Sequence, residues 1–187
     1  ELLELYYKMA TALVYFDNTR QFQVVMAILK HMTKFDLSRI PKISGFLAAV
    51  AGNFSVTGLS FNLSNRLLEV SEQYRVEENI RDRMQYDCFS TANHHCQGSW
   101  GEIRDLNEEL LNSSLRIGDF WHVSNYLYFS GLVKGEQGDL EYLMNVIDRM
   151  HEIGKAYDSP LFLTQARMLK TDYLLKSRNA QRALEVA

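Results

Sequence analysis

Residues 138–160 read GDLEYLMNVIDRMHEIGKAYDSP. Leu140, Leu143, Val146, Ile147, Met150 and Ile153 recur at spacings of three and four, the period of a helix buried along one face. The stretch carries its own punctuation. Gly138 permits the left-handed backbone that ends a preceding helix, and Asp139 can cap the next one. Asp158-Ser159-Pro160 is a further helix start, in which a side-chain oxygen caps the first amides and a proline at the first helical position loses no bond. No strand-like alternation bounded by turns occurs in the chain.

The same pattern recurs every 40 residues. Gly58, Gly98 and Gly138 share one column, with Asn18 one period earlier. Leu63, Ile103, Leu143 and Ala183 align, as do Val70, Leu110 and Met150. Upstream of the glycines stand Tyr6, Phe46, Tyr86, Tyr126 and Ala166, then Met9, Ala49, Phe89, Phe129 and Leu169. The first repeat needs a one-residue shift in its second helix, where Phe22, Val25, Leu29 and Met32 form the stripe. Ile40-Pro41 and Gly118-Asp119 preceding Phe120 are read as helix starts, and Ser99 as a cap. The expected helices are 2–16, 20–36, 41–56, 60–77, 80–96, 100–116, 120–135, 139–156, 160–177 and 180–187. One such pair cannot bury its own apolar face, whereas stacked pairs can. The expectation is therefore all-α: antiparallel helix pairs in repeats of about 1–39, 40–79, 80–119 and 120–159 with a partial 160–187, the aromatic column forming the seam between repeats.

A two-helix unit with aromatic and small residues in its first helix and a stripe in its second resembles the tetratricopeptide repeat (TPR), although that unit is about 34 residues long. The segments Ser114-Leu115-Arg116-Ile117-Gly118-Asp119-Phe120 and Gly154-Lys155-Ala156-Tyr157-Asp158-Ser159-Pro160-Leu161 look like the helix endings of longer TPR-like arrays in bacterial multidomain signalling ATPases and LuxR-type transcriptional activators. The resemblance implies a TPR-like right-handed superhelix and a non-catalytic module that senses a ligand or binds a protein or peptide, regulating other domains of the same parent chain. Apolar stripes running at both ends of the sequence fit a segment of a longer chain.

The 187 residues carry 20 Lys+Arg against 23 Asp+Glu, a net charge of −3, with 47% hydrophobic residues. That is too apolar for disorder, and without a basic tract direct nucleic-acid binding is not expected. No apolar run is long enough to span a membrane. Two cysteines and a start without signal-peptide features point to a cytoplasmic setting.

Catalytic and metal motifs fail on inspection. Gly131-Leu132-Val133-Lys134-Gly135-Glu136 lacks the Gly-Lys-Ser/Thr ending of a phosphate loop. His151-Glu152-Ile153-Gly154-Lys155 has Lys155 where a zinc-protease helix needs its second histidine. Cys88, His94, His95 and Cys96 are the one soft-ligand cluster, but zinc sites draw on two closely spaced ligand pairs, and a Cys–His nucleophile would lack a nameable oxyanion partner. Asn53, Asn62 and Asn112 match the glycosylation pattern by coincidence, and the pairs Glu77-Glu78 and Glu108-Glu109 read as solvated faces. No enzyme activity, cofactor or metal is expected.

One column goes beyond packing. Gln85, Asn125 and Gln165 align in the first helices of their repeats, beside Arg81 and Trp121 on one side and Tyr128 on the other. First helices line the concave face of a TPR-like array, and an amide ladder flanked by aromatics suits the backbone of an extended peptide. Arg81, Gln85, Trp121, Asn125, Tyr128 and Gln165 are thus the expected partner-binding residues. The rival readings are a receptor for a peptide or small effector, and a passive scaffold that forms a homodimer through an end repeat.

Overall fold

The computed structural model describes residues 2–13, 16–32, 34, 36–40, 42–76, 78–103 and 105–186. Among them there is no strand, and ten α-helices account for most of the chain: α1 (Leu2–Leu13), α2 (Asn18–Met32), α3 (Ile43–Val56), α4 (Phe61–Gln73), α5 (Ile80–Gln97), α6 (Glu108–Arg116), α7 (Phe120–Glu136), α8 (Leu140–Ala156), α9 (Pro160–Lys176) and α10 (Ala180–Val186). Short 3-10 turns cover Leu37–Arg39 and Trp100–Glu102. Pro41, expected at a helix start, lies outside the described residues, as does Glu77. The chain divides into two compact units, residues 1–93 and 94–187, with α5 running from the first into the second.

The 40-residue period is visible in the backbone. Gly58, Gly98, Gly118 and Gly138 have φ of 67°, 74°, 75° and 84°, and Asp158 and Arg178 take the same conformation at 48° and 58°. At Gly138 the N–H donates to Gly135 O at 3.1 Å, and the next residue, Asp139, donates to Lys134 O at 2.9 Å. The same pair of bonds closes the helix before each of the other five residues. These are Schellman ends, which satisfy carbonyls that the helix leaves open. From residue 98 to residue 178 the left-handed position recurs every 20 residues, half the sequence period.

Capping follows expectation in part. Ser60 accepts from Leu63 N–H, and Asp139 accepts from Tyr142 N–H at 3.0 Å. Asp119 makes no such bond, because its Oδ1 lies 2.7 Å from His122 Nδ1. Ser159 precedes Pro160 without a side-chain cap.

The largest departure is at 100–116. In place of the expected helix there is a 3-10 turn at Trp100–Glu102, and α6 begins only at Glu108. Asn107 Oδ1 accepts from Leu110 N–H at 3.0 Å, and Glu108-Glu109 place negative charge on the first turn. Upstream, Trp100 Nε1 donates to His95 O at 3.3 Å, and Trp100 O accepts from Gln137 Nε2 at 3.1 Å, bonds that hold the segment outside a helix.

In the first unit, α3 is buried nearly all round: every residue from Ile43 to Gly52, with Phe54 and Ser55, is inaccessible. A helix apolar on all sides sits at the centre of its neighbours. Phe46, Leu47, Val50 and Phe54 join Val25, Ile28 and Met32 of α2 in one cluster. Small residues on α3 admit the helices that follow. Ser71 Oγ donates to Ser44 O at 2.7 Å, Ser64 Oγ lies within bonding distance of Ala51 O and of Asn93 Oδ1, and Gly45 and Gly52 face Asp82 and Phe89 of α5. In the second unit the stripes of α7, α8 and α9 close on fully buried Val123, Leu127, Leu143, Met150, Phe162 and Leu169. In the aromatic column Phe46, Tyr126 and Ala166 are buried, while Tyr6 and Tyr86 are half-buried.

Candidate functional site

The expected binding residues divide between the two units. Arg81 and Gln85 belong to the first; Trp121, Asn125, Tyr128 and Gln165 belong to the second.

Gln85 is not an open amide. It is buried, and its Oε1 would lie 2.6 Å from a Cβ added to Gly45. The helical register that aligns Gln85 with Asn125 also turns it onto the small face of α3. Arg81, one turn earlier, is exposed.

In the second unit the ladder forms across two helices. Gln165 Nε2 on α9 donates to Asn125 Oδ1 on α7 at 3.1 Å, Asn125 Nδ2 donates to Trp121 O at 2.7 Å, and Ser124 Oγ donates to Gln165 Oε1. Each carboxamide has two N–H donors and two strong acceptor lone pairs. These bonds use one donor and one lone pair on each, leaving one of each kind, the same set that a peptide group offers. Trp121 is half-buried, its ring edge-on to His122 with centroids 4.9 Å apart, and Tyr128 is half-buried against Phe129 at 5.7 Å.

Further along the same two helices Lys176 Nζ donates to Asp172 at 2.6 Å and to Glu136 at 3.1 Å. Burial pushes the Tyr128 hydroxyl above its usual range, and the Asp172 charge adds to this. Burial holds the His95 imidazole below its usual range; Glu136 opposes that shift and Lys176 adds to it. The strip therefore reads aromatic, amide, aromatic, ion pair. It offers hydrogen bonding and ring surface rather than an activated nucleophile. Sequence reading missed Ser124 and the Asp172–Lys176–Glu136 group. The i,i+4 spacing of Asp172 and Lys176 and the 40-residue offset of Glu136 from Lys176 were available as signals.

The chain matches no family model, no curated protein and no solved structure.

The soft-ligand cluster is dispersed. Cys88 is buried, His94 Nδ1 lies 3.5 Å from Glu102, His95 packs on Phe129, and Cys96 is half-buried with its thiol pushed up by burial. Among the described residues no three His, Cys, Asp or Glu side chains are placed to hold a metal ion. Asn53 is tied inward, donating to Ala49 O and accepting from Gln21. Glu108 and Glu109 are exposed, as a solvated face requires, and both Glu108 oxygens accept from Arg149, at 2.5 and 2.6 Å. No helix of the described residues is long and apolar enough to cross a membrane.

One buried acid was not foreseen. Asp82 Oδ1 accepts from Gly45 N–H at 2.5 Å, while Asp82 Oδ2 and Gln85 Nε2 have no partner. Burial raises the Asp82 pKa; the Gly45 bond and the Lys42 charge oppose this less strongly. A folded pKa raised above the unfolded one favours folding when the group is protonated. That contribution is complete below the unfolded pKa and is lost as pH rises through the folded one. Asp82→Asn, which keeps an acceptor for Gly45 and offers Gln85 Oε1 a donor, is expected to stabilise the first unit near neutral pH by about 1 kcal/mol. The advantage should shrink as pH falls through the carboxylate range. Urea unfolding of both proteins across that range checks this; a gap that stays constant or widens in acid contradicts it.

Proposed function

We propose that this chain is a TPR-like right-handed superhelical array acting as a non-catalytic interaction module of a larger cytoplasmic signalling or transcription-regulating protein. Its partner is a protein or peptide segment in extended conformation, held on the α7–α9 face by Trp121, Asn125, Tyr128 and Gln165. The observation that carries this reading is the Asn125–Gln165 pair, which joins one repeat to the next and leaves one donor and one acceptor on each residue for a peptide backbone. The flanking rings supply rigid contact area at low entropic cost. Binding there would change the packing between repeats, and in an array each small rotation adds to the next.

A library of random extended peptides selected against the chain tests this. Selected peptides should lose about tenfold or more in affinity for Asn125→Ala/Gln165→Ala, a loss of about 1.4 kcal/mol, while the variant keeps its melting temperature. Peptides that bind the variant equally well would place recognition elsewhere.

A further inference from the structure

The two ends of the α7–α9 strip differ in what they can bind. Eleven residues are close to three whole helical turns, so Glu136 stands on the same face of α7 as Asn125, and Lys176 on the same face of α9 as Gln165. At one end the amide pair offers both donors and acceptors. At the other, only acceptors remain.

Every donor at that second end is engaged. Lys176 Nζ donates to Asp172 Oδ1 at 2.7 Å, to Asp172 Oδ2 at 2.6 Å and to Glu136 Oε1 at 3.1 Å. An ammonium has three donors, so none is left for an incoming anion. Burial acts to lower the Lys176 pKa, but the contacts with Asp172 and Glu136 more than offset it, so the amine keeps its charge. The carboxylates are less fully used, since each has about four lone-pair sites, and one cation between two of them leaves a negative charge over. Solvent reaches all three side chains, with Lys176 24%, Asp172 30% and Glu136 38% exposed. Glu136 ends α7 and Lys176 ends α9, where the last open carbonyls add to the negative potential. Other cations of these helices are turned away. Lys134 lies 3.5 Å from Asp105 and over the Tyr142 ring, and exposed Arg167 and Lys170, each two residues from a strip residue, stand on the far side of α9. His95, beside Glu136, is kept neutral by burial.

We propose that the segment bound on this strip carries an arginine or lysine about three to five residues from the peptide unit held by Asn125 and Gln165, with its charged head on Glu136 and Asp172. This rests on the peptide reading above and gives the partner a charge and a register. At 1.5 Å per residue, Asp172 stands about 10 Å from Gln165 along α9, and Glu136 about 16 Å from Asn125 along α7. An extended chain covers those lengths in about three to five residues. Tyr128 lies between the two ends and offers ring surface for the methylene stem of the basic side chain. Arginine fits better than lysine, because its planar fork donates in pairs to a carboxylate.

The test selects the random extended-peptide library in parallel against the unaltered chain and two variants that move the charge in opposite directions. Glu136→Gln/Asp172→Asn leaves Lys176 as a cation without its carboxylates, and Lys176→Gln leaves two carboxylates without their cation. Peptides selected on the unaltered chain should be enriched in Arg and Lys at one position. That enrichment should grow on Lys176→Gln and give way to Asp and Glu on the carboxylate variant. For a selected peptide, replacing its basic residue with methionine should cost about fivefold in affinity for the unaltered chain and nothing for the carboxylate variant. Melting temperatures check folding, and Lys176→Gln alone decides the matter if the double variant unfolds. Peptides that lose affinity for Asn125→Ala/Gln165→Ala yet show no basic preference overturn this inference and leave the peptide reading standing. A basic preference unchanged by either variant also overturns it, because the cation then binds elsewhere. Peptides indifferent to the amide pair sink both readings.

Discussion

Replacing Tyr126 with alanine is expected to destabilise the second unit by about 3–5 kcal/mol. Tyr126 is 3% exposed on α7, in the aromatic column read from the sequence as the seam between repeats. Truncating it removes the transfer energy of a large ring and leaves a cavity that neighbouring helices can only partly fill. Ala166, one period later in the same column, is equally buried. The column therefore accepts a small residue where its surroundings are built for one, and the cost at 126 measures how far they are built for a ring. Both tryptophans, Trp100 and Trp121, lie in the second unit, so their fluorescence during urea unfolding follows that unit. A loss below about 1 kcal/mol would mean that the aromatic column is not the seam.

Gly52→Val should destabilise the first unit by about 3 kcal/mol. A Cβ at Gly52 would fall 2.3 Å from Phe89 Cδ1, closer than side chains approach, and the γ-methyls of valine add to the overlap. The clash outweighs the gain of a few tenths of a kcal/mol from replacing glycine within a helix. Because α3 is buried nearly all round, it has little room in which to retreat. Relief must come from Phe89, so Gly52→Val/Phe89→Ala should be more stable than the sum of the two single changes by about 1 kcal/mol. Amide exchange within α3 reads the effect locally, since its protection should fall most. Additive behaviour would falsify the close approach of α3 to α5.

Local periodicity was sufficient for the helices other than the one expected over 100–116, of which only Glu108–Arg116 is helical. The stripe from Leu143 to Ile153 is buried as its spacing implied, and Gly58, Gly98 and Gly138 are left-handed helix ends. The turns at Asp158 and Arg178 keep this geometry without glycine, so the period constrains the backbone more tightly than residue type reveals. The sequence also carried the signal that corrects its own main error: Asn107-Glu108-Glu109 is a helix start, masked by an apolar stripe that continues through Trp100 and Ile103.

What one sequence determined about this protein is the class of its elements and their period. These follow from backbone geometry and from the burial of one face per helix, both local properties. What only the tertiary structure decided is which members of a column do which work. Gln85, Asn125 and Gln165 are the same in sequence register. Yet Gln85 is sealed against Gly45, while Asn125 and Gln165 join hands across two helices. The difference lies in the residue opposite, which belongs to another helix about 40 positions away, and in whether its size admits or holds off an amide. Asp82 is likewise an ordinary helix residue until Gly45 supplies an N–H and removes the water.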